Sequence, residues 1–202
     1  MRRRDDSTQP EFWSSRYSTG KTPWDFQGVP KALLEFLART GRRRNHTVLI
    51  PGCGSGYEIA AFAAAGFDVV AIDFSAAAIR RARRVLGRRL ASRIVLADFF
   101  EYDFGRQFEL AYERTFLCAL PPRLWRRYST RLARLVRPGG RLVGTYWLGR
   151  AADGPPFPIS EKRLAALFDQ KFNLVRSFRV KDSLPLFGDG ERWQERRRRK
   201  DG

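Results

Sequence analysis

Glycines and an aspartate in the first half of the chain have the spacing that nucleotide chemistry uses. The glycines are Gly52, Gly54 and Gly56. An apolar run at 48–50 precedes them and an alanine-rich stretch at 59–65 follows, which predicts a turn between a strand and a helix. About 20 residues on, a second apolar run at 69–72 ends in Asp73, whose carboxylate could accept ribose hydroxyls. The pattern predicts a nucleoside cofactor; the alternative is an ordinary glycine-rich turn.

The spacing of the glycines separates two classes of cofactor. Dinucleotide sites use Gly-x-Gly-x-x-Gly, but here the pattern is Gly-x-Gly-x-Gly and Tyr57 follows it. S-Adenosylmethionine (SAM) has no pyrophosphate, so its amino acid and ribose need only a close approach to the backbone. We therefore expect SAM as the cofactor, with S-adenosylhomocysteine (SAH) as the product.

A second acidic position follows the next predicted strand, at 93–97. Asp98 could accept the exocyclic amine of an adenine, while Phe99 supports the ring. The alternative for Asp98 is a residue that caps a turn. Phe74, directly after Asp73, is assigned to the same cofactor site.

Aromatic residues near the amino terminus predict a lid over residues 11–28. Trp13 and Tyr17 are four residues apart and share one face of a helical turn, and Trp24 follows a glycine and proline loop. Aromatic faces attract cations, and SAM carries a sulfonium. The alternative is that these rings pack an amino-terminal helix onto the core. Residues 1–10 are polar and charged, and are predicted to be disordered.

Composition sets the outer limits. The 202 residues predict one globular domain over 11–202, and two cysteines with one histidine exclude a disulfide framework and a histidine-rich metal centre. We expect no metal. No apolar run approaches the roughly 20 residues of a membrane span and no secretory signal is evident, so we expect a cytoplasmic protein.

The net charge of +18 is mostly arginine on predicted helix faces, which favours a solvated surface; the alternative is nucleic-acid binding.

Strands and helices alternate along the rest of the chain. This predicts an α/β, doubly wound and mostly parallel sheet with its site at the carboxyl ends of the strands. A turn is predicted at 138–140. The predicted strands are 48–50, 69–72, 93–97, 108–111, 141–147, 172–180 and 192–197, and the predicted helices are 30–39, 59–65, 76–90, 122–136 and 160–169.

These motifs together resemble the thiopurine methyltransferase family, and most of all its halide, thiocyanate and thiol methyltransferases. The matching segments begin at Trp13, Tyr17, Thr22, Pro51, Asp73, Asp98, Phe116 and Gly154. The resemblance implies the class I SAM-dependent methyltransferase fold, with seven strands and the last one antiparallel. It also implies SAM contacts at Trp13, Tyr17, Trp24, Gly52, Asp73, Asp98, Phe99 and Arg114. Tyr17 stands where many members have tryptophan. Arg114 stands where halide-type members have tyrosine, and it resembles the substrate arginine of thiopurine-type members, which favours a thiol.

The implied reaction moves a methyl group to a soft nucleophile, for which the thiolate is the reactive form. Arg114, after the fourth strand, is predicted to stabilise the thiolate, and Tyr146 on the fifth to order it. The alternative for Arg114 is an ion pair with Glu113 or another acid. Sulfide, thiocyanate or halide are further candidate acceptors. An RNA methyltransferase and a non-catalytic SAM-binding protein are the alternative functions. We expect a monomer that does not bind membranes.

Overall fold

The computed structural model describes residues 6–42, 45–150 and 152–200, in which the chain divides into two compact units, Met1–Tyr102 and Asp103–Gly202. Seven strands with flanking helices make a mixed sheet, so the predicted α/β class and strand number are confirmed.

The first unit contains parallel strands in the order β3-β2-β1. Ile50 of β1 lies beside Ala71 of β2, and Ala71 lies beside Ile94 of β3. The elements in chain order are α1 Pro10–Ser18, α2 Lys31–Thr40, β1 Thr47–Pro51, α3 Tyr57–Ala64, β2 Asp68–Asp73, α4 Ala76–Ala91 and β3 Ile94–Leu96.

Local signals explain most of these boundaries. Pro10 occupies the first position of α1, where a missing N–H costs no hydrogen bond. Ser75 caps α4, because its hydroxyl oxygen accepts the backbone N–H of Ala78 at 3.2 Å. Val48 and Leu49 of β1 are completely buried, as expected for a parallel strand covered on both faces.

The second unit has the strand order β4-β5-β7-β6. Strands β4 and β5 are parallel, and β7 is antiparallel to both β5 and β6, so the implied antiparallel last strand is confirmed. The elements are β4 Phe108–Arg114, α5 Trp125–Leu135, β5 Val136–Trp147, α6 Glu161–Phe168, β6 Phe172–Arg179 and β7 Glu191–Arg198, with short 3-10 turns at Leu117–Ala119, Pro122–Leu124 and Pro185–Gly190.

Two segments differ from the sequence prediction. The predicted turn at 138–140 lies within β5. Phe108 of β4 pairs with Val136 of β5, but Leu110, two residues later, pairs with Arg141. The extra residues of β5 between these pairs form a bulge. At the amino terminus, residues 1–5 of the segment predicted to be disordered lie outside the described residues. From residue 6 onward the chain is held locally, because the indole N–H of Trp13 donates to the backbone oxygen of Ser7 at 2.8 Å.

None of the helices in the described part of the chain combines the length and the apolar character that a bilayer crossing requires.

Candidate active site

The glycine turn between β1 and α3 has a backbone that other residues adopt poorly. Gly52, Gly54 and Gly56 have φ angles of 60°, 53° and 77°, in the left-handed region that favours glycine. A Cβ atom on Gly54 would lie 2.5 Å from the hydroxyl oxygen of Tyr17. The glycines therefore leave this stretch of backbone without side chains, which permits the close approach of a cofactor that the glycine spacing predicted.

Asp73 is joined to this turn through its carboxylate. Its Oδ2 accepts the N–H of Gly54 at 3.0 Å and its Oδ1 accepts the N–H of Ser75 at 2.8 Å. Loss of water around the side chain raises the pKa of Asp73, and the backbone N–H groups of Ser75, Gly54 and Phe74 oppose that rise. The two carboxylate oxygens have four lone pairs, and the three N–H groups leave one of them to accept a hydroxyl group.

The three predicted lid aromatics form one cluster on the same unit. The ring centroids of Trp13 and Trp24 are 5.3 Å apart, and those of Tyr17 and Trp24 are 6.1 Å apart. The indole N–H of Trp24 donates to the Tyr17 hydroxyl at 3.4 Å. Burial and then the charge of Asp73 raise the pKa of Tyr17 far above its usual range. The structure thus brings the cluster together with the glycine turn.

Asp25 holds this aromatic segment in place, and the sequence reasoning missed it. Its Oδ2 accepts the Ser55 hydroxyl at 2.7 Å and the Arg81 guanidinium at 2.8 Å. The Asp25 side chain is only 4% exposed, so water screens this contact little. Arg81 lies on α4, far along the chain from Asp25, and no local pattern links the two residues.

Asp98 and Phe99 have different surroundings. Asp98 is exposed and its Oδ1 accepts the N–H of Phe100 at 2.7 Å, which is the geometry of a residue that caps a turn. Phe99 is buried, and its ring meets that of Phe100 edge to face. The contact of Asp98 with an adenine stays a prediction, in which its second carboxylate oxygen would be the acceptor.

In the second unit, Arg114 and Tyr146 lie on neighbouring strands but face opposite sides of the sheet. Arg114 pairs in register with Thr145, and successive residues of a strand alternate between faces. Tyr146 therefore shares its face with Glu113. The Tyr146 hydroxyl is buried and makes no hydrogen bond with the described residues, and burial raises its pKa far above the usual range.

Tyr146 lines a small cavity at the carboxyl ends of β4 and β5. The cavity volume is about 10 Å³, which is room for about one group the size of a water molecule. Arg114 is not part of its lining. Burial and then the charges of Glu113 and Glu191 raise the pKa of the Cys118 thiol, and the positive charge of Arg114 opposes that rise. Lining residues include Glu113, Thr115, Cys118, Thr145, Tyr146 and Phe157.

Glu113 is the second residue that the sequence reasoning missed as a functional group. The carboxylate accepts the N–H groups of Phe116 and Leu117 at 2.9 and 3.0 Å, and it also accepts the Tyr128 hydroxyl. Burial raises the pKa of Glu113 to about 7, although these hydrogen bonds oppose the rise. An acid directly before a turn, followed by a tyrosine in the next helix, was the available signal.

Comparison with known proteins gives a family match along most of the chain. The profile of the thiopurine S-methyltransferase family matches residues 8–196. A protein described as probable thiol methyltransferase 2 of Arabidopsis thaliana is 32% identical over 171 residues, which is 81% of this chain and 75% of that protein. Thiocyanate methyltransferase 1 of Brassica oleracea is 28% identical over 73% of this chain and 67% of its own. The thiopurine S-methyltransferase of Vibrio cholerae is 26% identical, with coverages of 79% and 80%.

Solved structures agree on the fold. The 1,6-didemethyltoxoflavin-N1-methyltransferase of Burkholderia thailandensis, solved with S-adenosylhomocysteine, superposes with a TM-score of 0.75 at 24% identity, covering 94% of this chain and 87% of that chain. Magnesium protoporphyrin IX methyltransferase of Synechocystis PCC 6803, solved with SAM, gives a TM-score of 0.74 at 18% identity and coverages of 96% and 97%. The expected class I SAM-dependent methyltransferase fold is confirmed.

Proposed function

The chain belongs to the thiopurine S-methyltransferase family, and from that membership we propose that it transfers a methyl group from SAM to the sulfur of a small thiol. The observation that carries this function is the bare glycine turn joined to Asp73 beneath an aromatic cluster. When bound, SAM supplies a methyl group on a cationic sulfur that a soft nucleophile can attack.

The first unit offers the contacts that such a donor needs. Gly52, Gly54 and Gly56 would lie against its amino acid and ribose, and Asp73 would accept the ribose hydroxyls. Trp13, Tyr17 and Trp24 would place aromatic faces near the sulfonium, each worth about 0.5–2 kcal/mol. Phe74, Asp98 and Phe99 would hold the adenine. These assignments are supported by the cluster that Tyr17, Gly54 and Asp73 form.

The second unit supports a small sulfur acceptor. Tyr146 lines the small cavity, and its hydroxyl lacks a hydrogen-bond partner among the described residues, so it could donate to a sulfur atom. Arg114 would stabilise the thiolate from the neighbouring strand, as its effect on the pKa of Cys118 indicates. Alignment and exclusion of water then lower the barrier.

A panel of acceptors tests the function. Purified protein would be incubated with methyl-labelled SAM and small thiols, sulfide, thiocyanate, iodide or bulk RNA. Label in a volatile methyl sulfide supports thiol methylation. Label in RNA would instead support the alternative that the basic surface suggests, and SAM binding without transfer to any acceptor would support a non-catalytic protein. Cytoplasmic location and a monomeric state stay predictions.

Arg114→Met tests the role of the guanidinium. Loss of a positive charge near the acceptor should raise the pH at which thiol methylation is half-maximal, by about one unit or more. Arg123→Met, at an exposed position in the same unit, is the matched control and should leave the profile unchanged. An unaltered profile and rate in the Arg114 variant would remove this residue from the proposal.

A further inference from the structure

Glu113 is a buried carboxyl group with spare capacity for a hydrogen bond. Its Oε1 accepts two backbone N–H groups, and its Oε2 accepts the Tyr128 hydroxyl. Because a carboxylate oxygen has two lone pairs, Oε1 is saturated and Oε2 retains one accepting position. The side chain is 1% exposed, so any further partner must come from inside the protein.

The cavity at Tyr146 is the place from which that partner can come. Glu113 itself lines this cavity. In the register of β4 and β5, Glu113 lies beside Gly144, and Tyr146 is two residues further along the same face. The cavity therefore presents a carboxylate and a hydroxyl donor that makes no hydrogen bond with the described residues.

We infer that Glu113 is the proton acceptor for a thiol bound in this cavity, an inference that rests on the proposed function. The S–H bond breaks and its proton passes to Oε2 of Glu113, while Tyr146 donates a hydrogen bond to the sulfur. The freed electron pair on that sulfur forms the new bond to the methyl carbon. The bond between the methyl group and the sulfonium sulfur breaks, and its electron pair remains on the sulfur of S-adenosylhomocysteine. Glu113 releases its proton to solvent after the product leaves.

The groups around the carboxylate fit this role. Burial raises the pKa of Glu113 to about 7, near the value of about 8.5 of an ordinary thiol, so proton transfer between them is not strongly uphill. Burial also raises the pKa values of the neighbouring phenols and of the Cys118 thiol, which keeps them protonated at neutral pH. The titratable and charged groups that act on these pKa values are Tyr128 of α5, Tyr146 of β5, Arg114 at the end of β4, Cys118 in the turn after β4, and Glu191 and Arg196 of β7.

The same carboxylate also selects among acceptors. An anion such as iodide or thiocyanate would enter a cavity that already holds a buried negative charge at Glu113, and that repulsion is strong where water is excluded. A protonated thiol enters neutral and loses its proton to the carboxylate, so the total charge of the cavity does not change. The preferred substrate class is therefore a small protonated thiol, such as an alkanethiol or hydrogen sulfide.

Glu113→Gln tests the inference, because it preserves the shape and removes the basic oxygen. Methanethiol carries a proton that must be removed, and iodide does not. At pH 7 we expect kcat/KM for methanethiol to fall by about 100-fold or more, while the rate with iodide is unchanged or higher. Glu195→Gln, which removes another buried carboxylate that accepts the indole N–H of Trp193 at 3.1 Å, is the control for a general loss of buried charge.

A pH series with methanethiol alone gives an independent measurement. The wild-type rate should fall below about pH 7, where Glu113 becomes protonated. The ratio of wild-type to variant rates should shrink as the pH approaches the pKa of the thiol, because hydroxide then supplies the thiolate. Equal losses with methanethiol and iodide, or a constant ratio across the pH series, would show a structural role only and overturn the inference. Absence of methyl transfer to any thiol by the wild-type protein would instead refute the proposed function.

Discussion

Gly54→Ala tests whether the glycine turn between β1 and α3 binds the cofactor. At a φ of 53°, an added Cβ costs about 1–2 kcal/mol of backbone strain. That Cβ would also lie 2.5 Å from the Tyr17 hydroxyl oxygen, so Tyr17 must move and its contact with Trp24 must change. We expect a weaker affinity for S-adenosylhomocysteine by tenfold or more, since about 1.4 kcal/mol of lost binding energy corresponds to that factor.

Two further variants separate strain from contact. Gly105 has a φ of 60° with no heavy atom within 4 Å of the added Cβ, so Gly105→Ala carries the strain alone. A strain of about 1–2 kcal/mol should lower the thermal midpoint of this variant by about 2–8 °C, because each kcal/mol corresponds to about 2–4 °C in a chain of this size. Tyr17→Phe removes the clashing oxygen and leaves the ring carbon at 3.7 Å from the Cβ position of Gly54, which is an ordinary contact.

The assays are titration calorimetry with S-adenosylhomocysteine and a thermal unfolding scan. The double variant Gly54→Ala with Tyr17→Phe should regain most of the lost affinity and retain a stability loss like that of Gly105→Ala. The reasoning fails if Gly54→Ala binds as tightly as the Gly105 variant, or if removal of the Tyr17 hydroxyl restores nothing.

Three other perturbations follow from contacts within each unit. Asp25→Asn leaves the Arg81 guanidinium without its buried anion and should cost about 1–3 kcal/mol of unfolding free energy, whereas Asp68→Asn, at a well-exposed ion pair, should cost about 0–1 kcal/mol in the same urea titration. Gly144→Ala places a Cβ 2.0 Å from the backbone oxygen of Glu113 and should lower the thermal midpoint by several degrees, with little soluble protein as the extreme outcome. Because the pKa of Glu113 is raised from 4.5 to about 7, its contribution to stability is complete below about pH 4.5 and is lost as the pH rises through 7. That loss is about 3 kcal/mol, and Glu113→Gln should remove this part of the pH dependence; an identical pH curve for the variant would contradict the assignment.

Sequence predicted the parts of the fold that local patterns determine. The first βα unit, its glycine turn and the strand that ends at Asp73 appear where expected, because apolar runs, glycines and a serine cap act over a few residues. The predicted turn at 138–140 became a bulge in β5, since pairing with β4 continues on both sides of it. A proline and two glycines can either end a strand or form a bulge within it. The outcome depends on pairing with the neighbouring strand, and the local sequence carries no information on that pairing.

The candidate site was predictable only in part for a related reason. The glycines, Asp73 and the aromatics carry recognisable spacing, but the partners of Asp25 and Glu113 lie on other elements. Glu113 next to Arg114 suggested an ion pair along the chain. The structure shows that the Glu113 carboxylate bonds to Tyr128 of α5 and to backbone N–H groups beyond the strand. A buried acid's role follows from which helix covers it, and that is decided by packing of the whole unit.

Three carboxylates in this chain share one local geometry and differ in exposure. Asp73 ends β2, Asp98 follows β3 and Glu113 is the penultimate residue of β4. Each accepts a backbone N–H from the turn that comes next. Asp98 is exposed, so water can satisfy its second oxygen. Asp73 is partly exposed and bonded to the glycine turn, which suits a steady acceptor of ribose hydroxyls. Glu113 is excluded from water, and its pKa is raised to about 7. A proton can therefore come and go from it near neutral pH. In the proposed roles, the same local geometry would serve as a turn cap, a hydroxyl acceptor and a base, according to how much water each carboxylate keeps.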